Sequence, residues 1–252
     1  MRAPRALAVV FDPVGAIGPA VEARAWVVPL LLTVVLTAAA SAALGVKLDS
    51  ARLVLPKLEA AGELARASER ELSEQVEQAH RVAIVAGVAR GLFGVPAIAL
   101  LSAAGLWLVS WLLGGRATFA ELFTVASLML LPMAAAQGIT LASALRQTSL
   151  SPTMAKQLVP SSLARLVSTD DVGPPREEAP RAWKRTSRTA LLELADFFHL
   201  WAALLMGLGF AAATKVSRRR AVPTGMLLYF LVVAAFTIGF PGLADGAGGP
   251  PR

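Results

Sequence analysis

Five long apolar stretches, separated by segments rich in charge, proline or glycine, dominate the chain. The first, residues 26–45, opens at Trp26 and carries no charge, and the second, 92–115, is likewise uncharged. The third, 118–145, is apolar from Phe119 to Leu145 apart from Glu121 near its start and Pro132 and Gln137 inside it. The fourth, 189–214, holds Glu193, Asp196 and His199 in its first half, and the fifth, 222–243, is uncharged. A helix needs about 20 predominantly apolar residues to cross about 30 Å of hydrocarbon, and each stretch reaches that length. The pattern predicts an all-α, polytopic integral membrane helical bundle with five transmembrane helices, whose two ends lie on opposite sides of the membrane. Ser41-Ala42-Ala43 has the small side chains of a signal-peptide cleavage site. However, residues 1–25 precede the apolar core and contain Phe11, Pro13 and Pro19 in place of a short basic lead, which favours a retained span.

The turn between the second and third stretches reads as a tight helical hairpin. Gly114 and Gly115 can end the incoming helix. Thr118 followed three residues later by Glu121 is a capping box, in which each side chain satisfies a free backbone N–H of the new helix. That gives Glu121 a structural role.

Two polar segments interrupt the apolar pattern. In 46–91, the stretch Leu58–Val82 reads as a charged helix, with Leu58, Ala61, Leu64, Ala65, Leu72, Val76 and Ala79 at helical spacing. Arg70 with Glu74, and Glu77 with Arg81, are opposite charges at i,i+4. It is either a solvated helix beside the bundle or a docking helix for a partner. The segment 146–188 is punctuated by Pro152, Pro160, Pro174, Pro175 and Pro180 and reads as a loop around 170–180. The short connection 215–221 is basic, and 244–252 forms a tail.

Composition agrees with the pattern. The chain is 56% apolar and 16% charged, against about 45–50% and about 25% in soluble domains, and its mean hydropathy is +0.61. A soluble globular enzyme is excluded on these grounds. The absence of cysteine removes disulfides, thiolate metal sites and cysteine nucleophiles. The net charge of +7 comes from bases at the edges of the apolar stretches, where they meet lipid head groups. Lys215, Arg218, Arg219 and Arg220 are such a cluster, while no nucleic-acid-reading motif is present. A second cluster, Arg181, Lys184, Arg185 and Arg188, precedes the same span that Lys215 follows, so charge alone does not orient it.

Asp196 is the foremost ionisable residue within a span, and His199 lies three residues on, sharing its helix face. Two readings stand open: Asp196 pairs with a base such as Arg90 or Arg146, or the Asp196/His199 pair lines a path for protons or cations in a small transporter or channel. Ala203, Gly207 and Ala211 form a small-residue stripe that permits close helix contact within the chain or between copies. If it joins copies, Gly207→Leu weakens assembly. Pro96, Pro132 and Pro241 bend or end their helices. With two histidines, no nucleotide loop and no hydrolase or metalloprotease motif, neither an enzyme, a metal nor a cofactor is expected.

Certain residues in order along the chain also resemble a family. Phe11-Asp12-Pro13, a short amphipathic stretch and Trp26 resemble the start of bacterial Yip-domain proteins, relatives of the eukaryotic Ypt/Rab-interacting membrane proteins. Leu113-Gly114-Gly115-Arg116-Ala117-Thr118-Phe119 is similar to the family's glycine-turn hairpin. Asp196-Phe197-Phe198-His199-Leu200-Trp201 with Gly207-Leu208-Gly209 is similar to its D-x-F-x-x-W and G-x-G span, and Pro132 matches its mid-span proline. The resemblance implies a polytopic membrane protein with a cytosolic N-terminus and the C-terminus across the membrane. It also implies a scaffold or adaptor in membrane organisation that acts through homo-oligomers or other membrane proteins, and in eukaryotes through prenylated small GTPases. The Ala- and Arg-rich composition suggests a bacterial chain in the inner membrane, where a small GTPase partner is not expected. That topology makes a direct prediction: single Ser217→Cys and Ser73→Cys variants, labelled with an impermeant maleimide, should show Ser217 on the cytosolic side and Ser73 on the other.

Overall fold

A computed structural model describes residues 3–151 and 196–239. The cluster Arg181, Lys184, Arg185 and Arg188, the loop prolines, Glu193 and Pro241 lie outside the described residues. Every regular element described is helical.

The chain opens with α1 (Ala3–Phe11) and α2 (Pro13–Glu22). Asp12 divides them: its carboxylate accepts from the Gly15 N–H at 2.9 Å, and Pro13 starts α2. A proline at the first helical position loses no hydrogen bond that the helix could have made. Ala6, Val9, Ile17, Ala20 and Val21 are buried, so the described part of residues 1–25 packs against the bundle.

Helix α3 (Val27–Lys47) carries a buried row of small residues, Thr33, Thr37, Ser41 and Gly45, one per turn. Thr33 returns its hydroxyl to Pro29 O at 2.8 Å. After α3, the expected charged helix Leu58–Val82 is not one helix. Helix α4 (Ala51–Ala60) ends, the chain turns through Gly62 at φ +69°, and α5 (Glu69–Ala89) starts afresh. The reason is local. Glycine takes positive φ at little cost, and Ser68 with Glu71 forms a full capping box: Ser68 N–H donates to Glu71 at 2.8 Å and Glu71 N–H to Ser68 Oγ at 3.3 Å. These signals override the apolar spacing across the break. The pairs Arg70–Glu74 and Arg81–Glu77 are formed at 3.0 and 2.8 Å on the exposed face of α5.

Helix α5 continues without interruption through a π-helical turn, Arg90–Gly94, into α6 (Val95–Leu112). Val95 N–H reaches back to Arg90 O. Pro96 follows and has no N–H to give, so the widened turn absorbs the bond that proline removes. Residues 69–112 thus form one helix of 44 residues. It packs antiparallel on α3 along a seam of small residues. A Cβ at Gly91 would come within 2.5 Å of the Ala38 backbone nitrogen, Gly87 lies against Ser41, and Gly45 lies against Ile84. The membrane-side packing of this helix therefore begins near Ile84, earlier than the apolar stretch starting at residue 92 suggests.

The third stretch is also divided, into α7 (Phe119–Leu128) and α8 (Leu131–Leu145), with Pro132 in the first turn of α8. The Leu130 carbonyl at this break accepts from Thr33 Oγ1 at 3.4 Å. Last come α9 (Phe197–Thr214) and α10 (Arg218–Gly239). At one end of the bundle, Trp26 meets Phe123 edge-on at 5.3 Å, and Gly115 lies beside Thr214. At the other end, Leu150 N–H bonds Lys47 O at 2.8 Å and Asp49 N–H bonds Leu150 O at 2.9 Å, tying the end of α3 to the strap after α8.

Four helical segments among the described residues are long and apolar enough to cross a membrane: Val27–Lys47, Glu69–Leu112, Phe119–Leu145 and Phe197–Thr214. The chain is an all-α, polytopic membrane bundle. Helix α10, the expected fifth span, starts with three arginines and is not among these four. The seam sets a test. Gly91→Leu should lower the thermal midpoint in detergent by several degrees, since overpacking costs about 1–3 kcal/mol. Gly138→Ala, where a Cβ meets nothing within 4 Å, should leave it unchanged or raise it.

Candidate functional site

The polar residues singled out in the sequence gather at the two ends of α9. At its start, Asp196 is the N-cap: its carboxylate accepts from Phe198 N–H at 2.6 Å. Capping explains the residue type, because an aspartate there satisfies an orphan N–H and complements the helix dipole. Asp196 thus lies at the boundary of the span, not one or two turns inside it. His199 faces another helix, and its Nδ1 lies 2.6 Å from Tyr229 Oη on α10. Asp196 remains within electrostatic reach of both rings, but the bonded unit is His199 with Tyr229.

Tyr229 is not among the residues that the sequence patterns single out. A signal for it exists all the same: it is the single tyrosine of the chain and sits in the uncharged stretch 222–243, where a buried phenol needs a partner. Tyr229 also packs edge-on against Phe230. Arg90 opens the π-helical turn and is half-buried, and Arg146 is the exposed C-cap of α8. Among the described residues, no group of three His, Cys, Asp or Glu side chains could hold a metal ion.

The small-residue stripe on α9 is spent inside the chain. Ala203, Gly207 and Ala211 are all buried. A Cβ at Gly207 would come within 2.5 Å of Val222 O, and one at Gly225 within 2.7 Å of Gly207 Cα. Helices α9 and α10 therefore touch backbone to backbone at Gly207 and Gly225, a contact within the chain. The neighbouring Gly209 receives Val125 of α7 and Ile17 of α2.

At the far end of α9 the hairpin is built as a pair of caps. Gly114 has φ +72°, and Gly115 N–H bonds Ser110 O at 2.8 Å. Thr118 N–H donates to Glu121 at 2.7 Å, and Glu121 N–H to Thr118 Oγ1 at 3.4 Å. Beside it, Lys215 ends α9 in the left-handed conformation at φ 58°. Lys215, Arg218, Arg219 and Arg220 are exposed together on the α9–α10 connection.

A bundle of apolar helices with capped, backbone-paired junctions defines a multi-pass membrane protein. The sequence matches the Yip1 domain over residues 7–239, and the chain belongs to that family of membrane proteins. No curated protein and no solved structure matches it.

Two variants probe this region. Gly207→Leu should destabilise the folded chain itself, seen as a lower melting temperature and loss of monodisperse protein. In a double-mutant cycle, Tyr229→Phe and His199→Leu should show coupling of about 0.6 kcal/mol and at most about 1.7, the range found for hydrogen bonds between membrane helices.

Proposed function

We propose that this chain is a non-enzymatic scaffold or adaptor in a membrane, which assembles with other membrane proteins through its charged helix. One observation carries this reading: a single helix, residues 69–112, runs from a charged half into the apolar bundle. At 1.5 Å per residue, 44 residues extend about 65 Å, roughly twice the thickness of the hydrocarbon. The charged half therefore projects beyond the bilayer. On it, Arg70, Glu74, Glu77 and Arg81 are exposed, and the apolar stripe Leu72, Val76 and Ala79 is only half covered. A half-covered apolar stripe flanked by both charge signs is the pattern of a helix that takes a partner helix.

The intramembrane polar groups support a structural economy. Asp196 and Glu121 cap helices, His199 and Tyr229 join two helices, and Thr33, Thr124, Ser127 and Thr214 return their hydroxyls to carbonyls of their own helices. The Asp196/His199 pair on which a transporter reading would rest is divided between two different bonds. The Ala- and Arg-rich composition points to a bacterial cytoplasmic membrane, with α10 as the fifth span.

The test is affinity capture from native membranes in mild detergent. Wild type should bring down a stoichiometric membrane partner, and Glu74→Arg with Glu77→Arg should lose most of it while the bundle stays folded. Capture of wild type alone would overturn the adaptor reading.

A further inference from the structure

A groove opens on the outside of the bundle between α2 and α9. Its floor is made of small residues, Gly18 from α2 with Ala211 and Ala212 from α9, and its walls include Val14 and Ile17. Arg218, in the first turn of α10, stands at one end, and the groove encloses about 270 Å³. It is open to the outside: Val14 is 56% exposed, Ala212 is exposed, and a side chain added at Gly18 would meet nothing within 4 Å. The bundle has left a trough where neighbouring turns carry bulky side chains.

The position of the trough decides its occupant. It lies where α9 ends, at the same level as Lys215, Arg218, Arg219 and Arg220. All four are exposed, none belongs to the ion pairs Arg52–Asp49, Arg70–Glu74 and Arg81–Glu77, and Glu121 of the hairpin is the acid within electrostatic reach of Lys215. A trough lined by small and aliphatic side chains over exposed polar atoms, ending in clustered positive charge, matches a molecule with a hydrocarbon tail and an anionic head. In a protein embedded in a bilayer, that molecule is supplied by the membrane. Basic clusters at this level attract anionic head groups, and a guanidinium binds a phosphodiester by two parallel hydrogen bonds.

We propose that the α2–α9 groove is a binding site for one anionic phospholipid. An acyl chain lies over Gly18, Ala211 and Ala212, and the phosphate rests on Arg218, with Lys215, Arg219 and Arg220 favouring a head of net negative charge. A zwitterionic lipid offers the same phosphate but adds a cation that this cluster repels. The site depends on the chain being embedded in a membrane and is independent of the adaptor reading. It also accounts for the placement of the N-terminal helices, since α2 supplies one wall and a bound lipid braces it against α9.

The experiment is native mass spectrometry of the full chain in neutral detergent, with equimolar phosphatidylglycerol and phosphatidylcholine. Wild type should retain phosphatidylglycerol at least about fivefold over phosphatidylcholine, the discrimination expected from the one net charge that separates the two head groups. Gly18→Leu fills the trough without touching a base and should bring phosphatidylglycerol retention down to the phosphatidylcholine level. Arg218→Gln should do the same, and soluble glycerol 3-phosphate should not displace the lipid. Circular dichroism and gel filtration check folding, and the exposed Ala212→Leu replaces Gly18→Leu if that variant is misfolded. Full retention in the filled-groove variant, equal retention of the two lipids by wild type, or displacement by glycerol 3-phosphate would each overturn the site. The last result would show a head-group contact on the basic connection alone.

Discussion

Backbone-to-backbone contact at small residues is the constraint on which this bundle depends. Between helices in lipid, apolar side chains gain little by leaving the tails for one another, so packing and close approach must hold the helices together. The chain meets that requirement twice. Gly91 and Gly87 bring the long helix onto Ala38 and Ser41 of α3, and Gly207 and Gly225 bring α9 onto α10. Both are intramolecular. Each places a helix so closely that one added methyl group would strike backbone atoms, where a flexible side chain cannot yield. The remaining order follows from them: α7 fits over Gly209, and α2 reaches the same place through Ile17.

Polar groups in this setting serve geometry. A carboxylate at a helix start, a threonine whose hydroxyl returns to its own helix and a histidine bonded to a tyrosine each satisfy an atom that hydrocarbon would leave bare. The result is a membrane bundle whose interior polar groups named above chiefly hold shape. What the molecule offers to others therefore lies on its outside. Two such surfaces are the exposed, charged half of the long helix and the α2–α9 groove beside the basic connection. The first comes from the charged run before the second apolar stretch, and the second is shared between α2, before the first stretch, and the end of α9.

Much of this is legible along the chain, and the particular residues explain why. The apolar stretches locate the membrane helices because spanning length is a requirement of the bilayer. Thr118 and Glu121 announce the hairpin, and Ser68 with Glu71 likewise marks the start of α5, because a capping box acts within four residues. The break at Gly62 is hidden because an apolar spacing happens to continue across it. The bond that His199 makes is hidden for a different reason. Sequence adjacency puts Asp196 and His199 at one helix end, but Tyr229 lies 30 residues from His199, and only the approach of α9 to α10 brings the two rings together.

The sequence by itself determined that this is a helical membrane protein, where its long helices lie, how several of them begin and which family it belongs to, because those properties depend on runs and short spacings of residues. Only the tertiary structure decided which helices touch. The stripe Ala203, Gly207 and Ala211 suits an inward contact or a contact between copies equally well, and in the fold Gly225 of α10 lies against Gly207. The same holds for the groove. Gly18 is far along the chain from Ala212 and Arg218, and the three share one trough because α2 folds back against the end of α9. Such contacts depend on the path of the whole backbone, which no local pattern encodes.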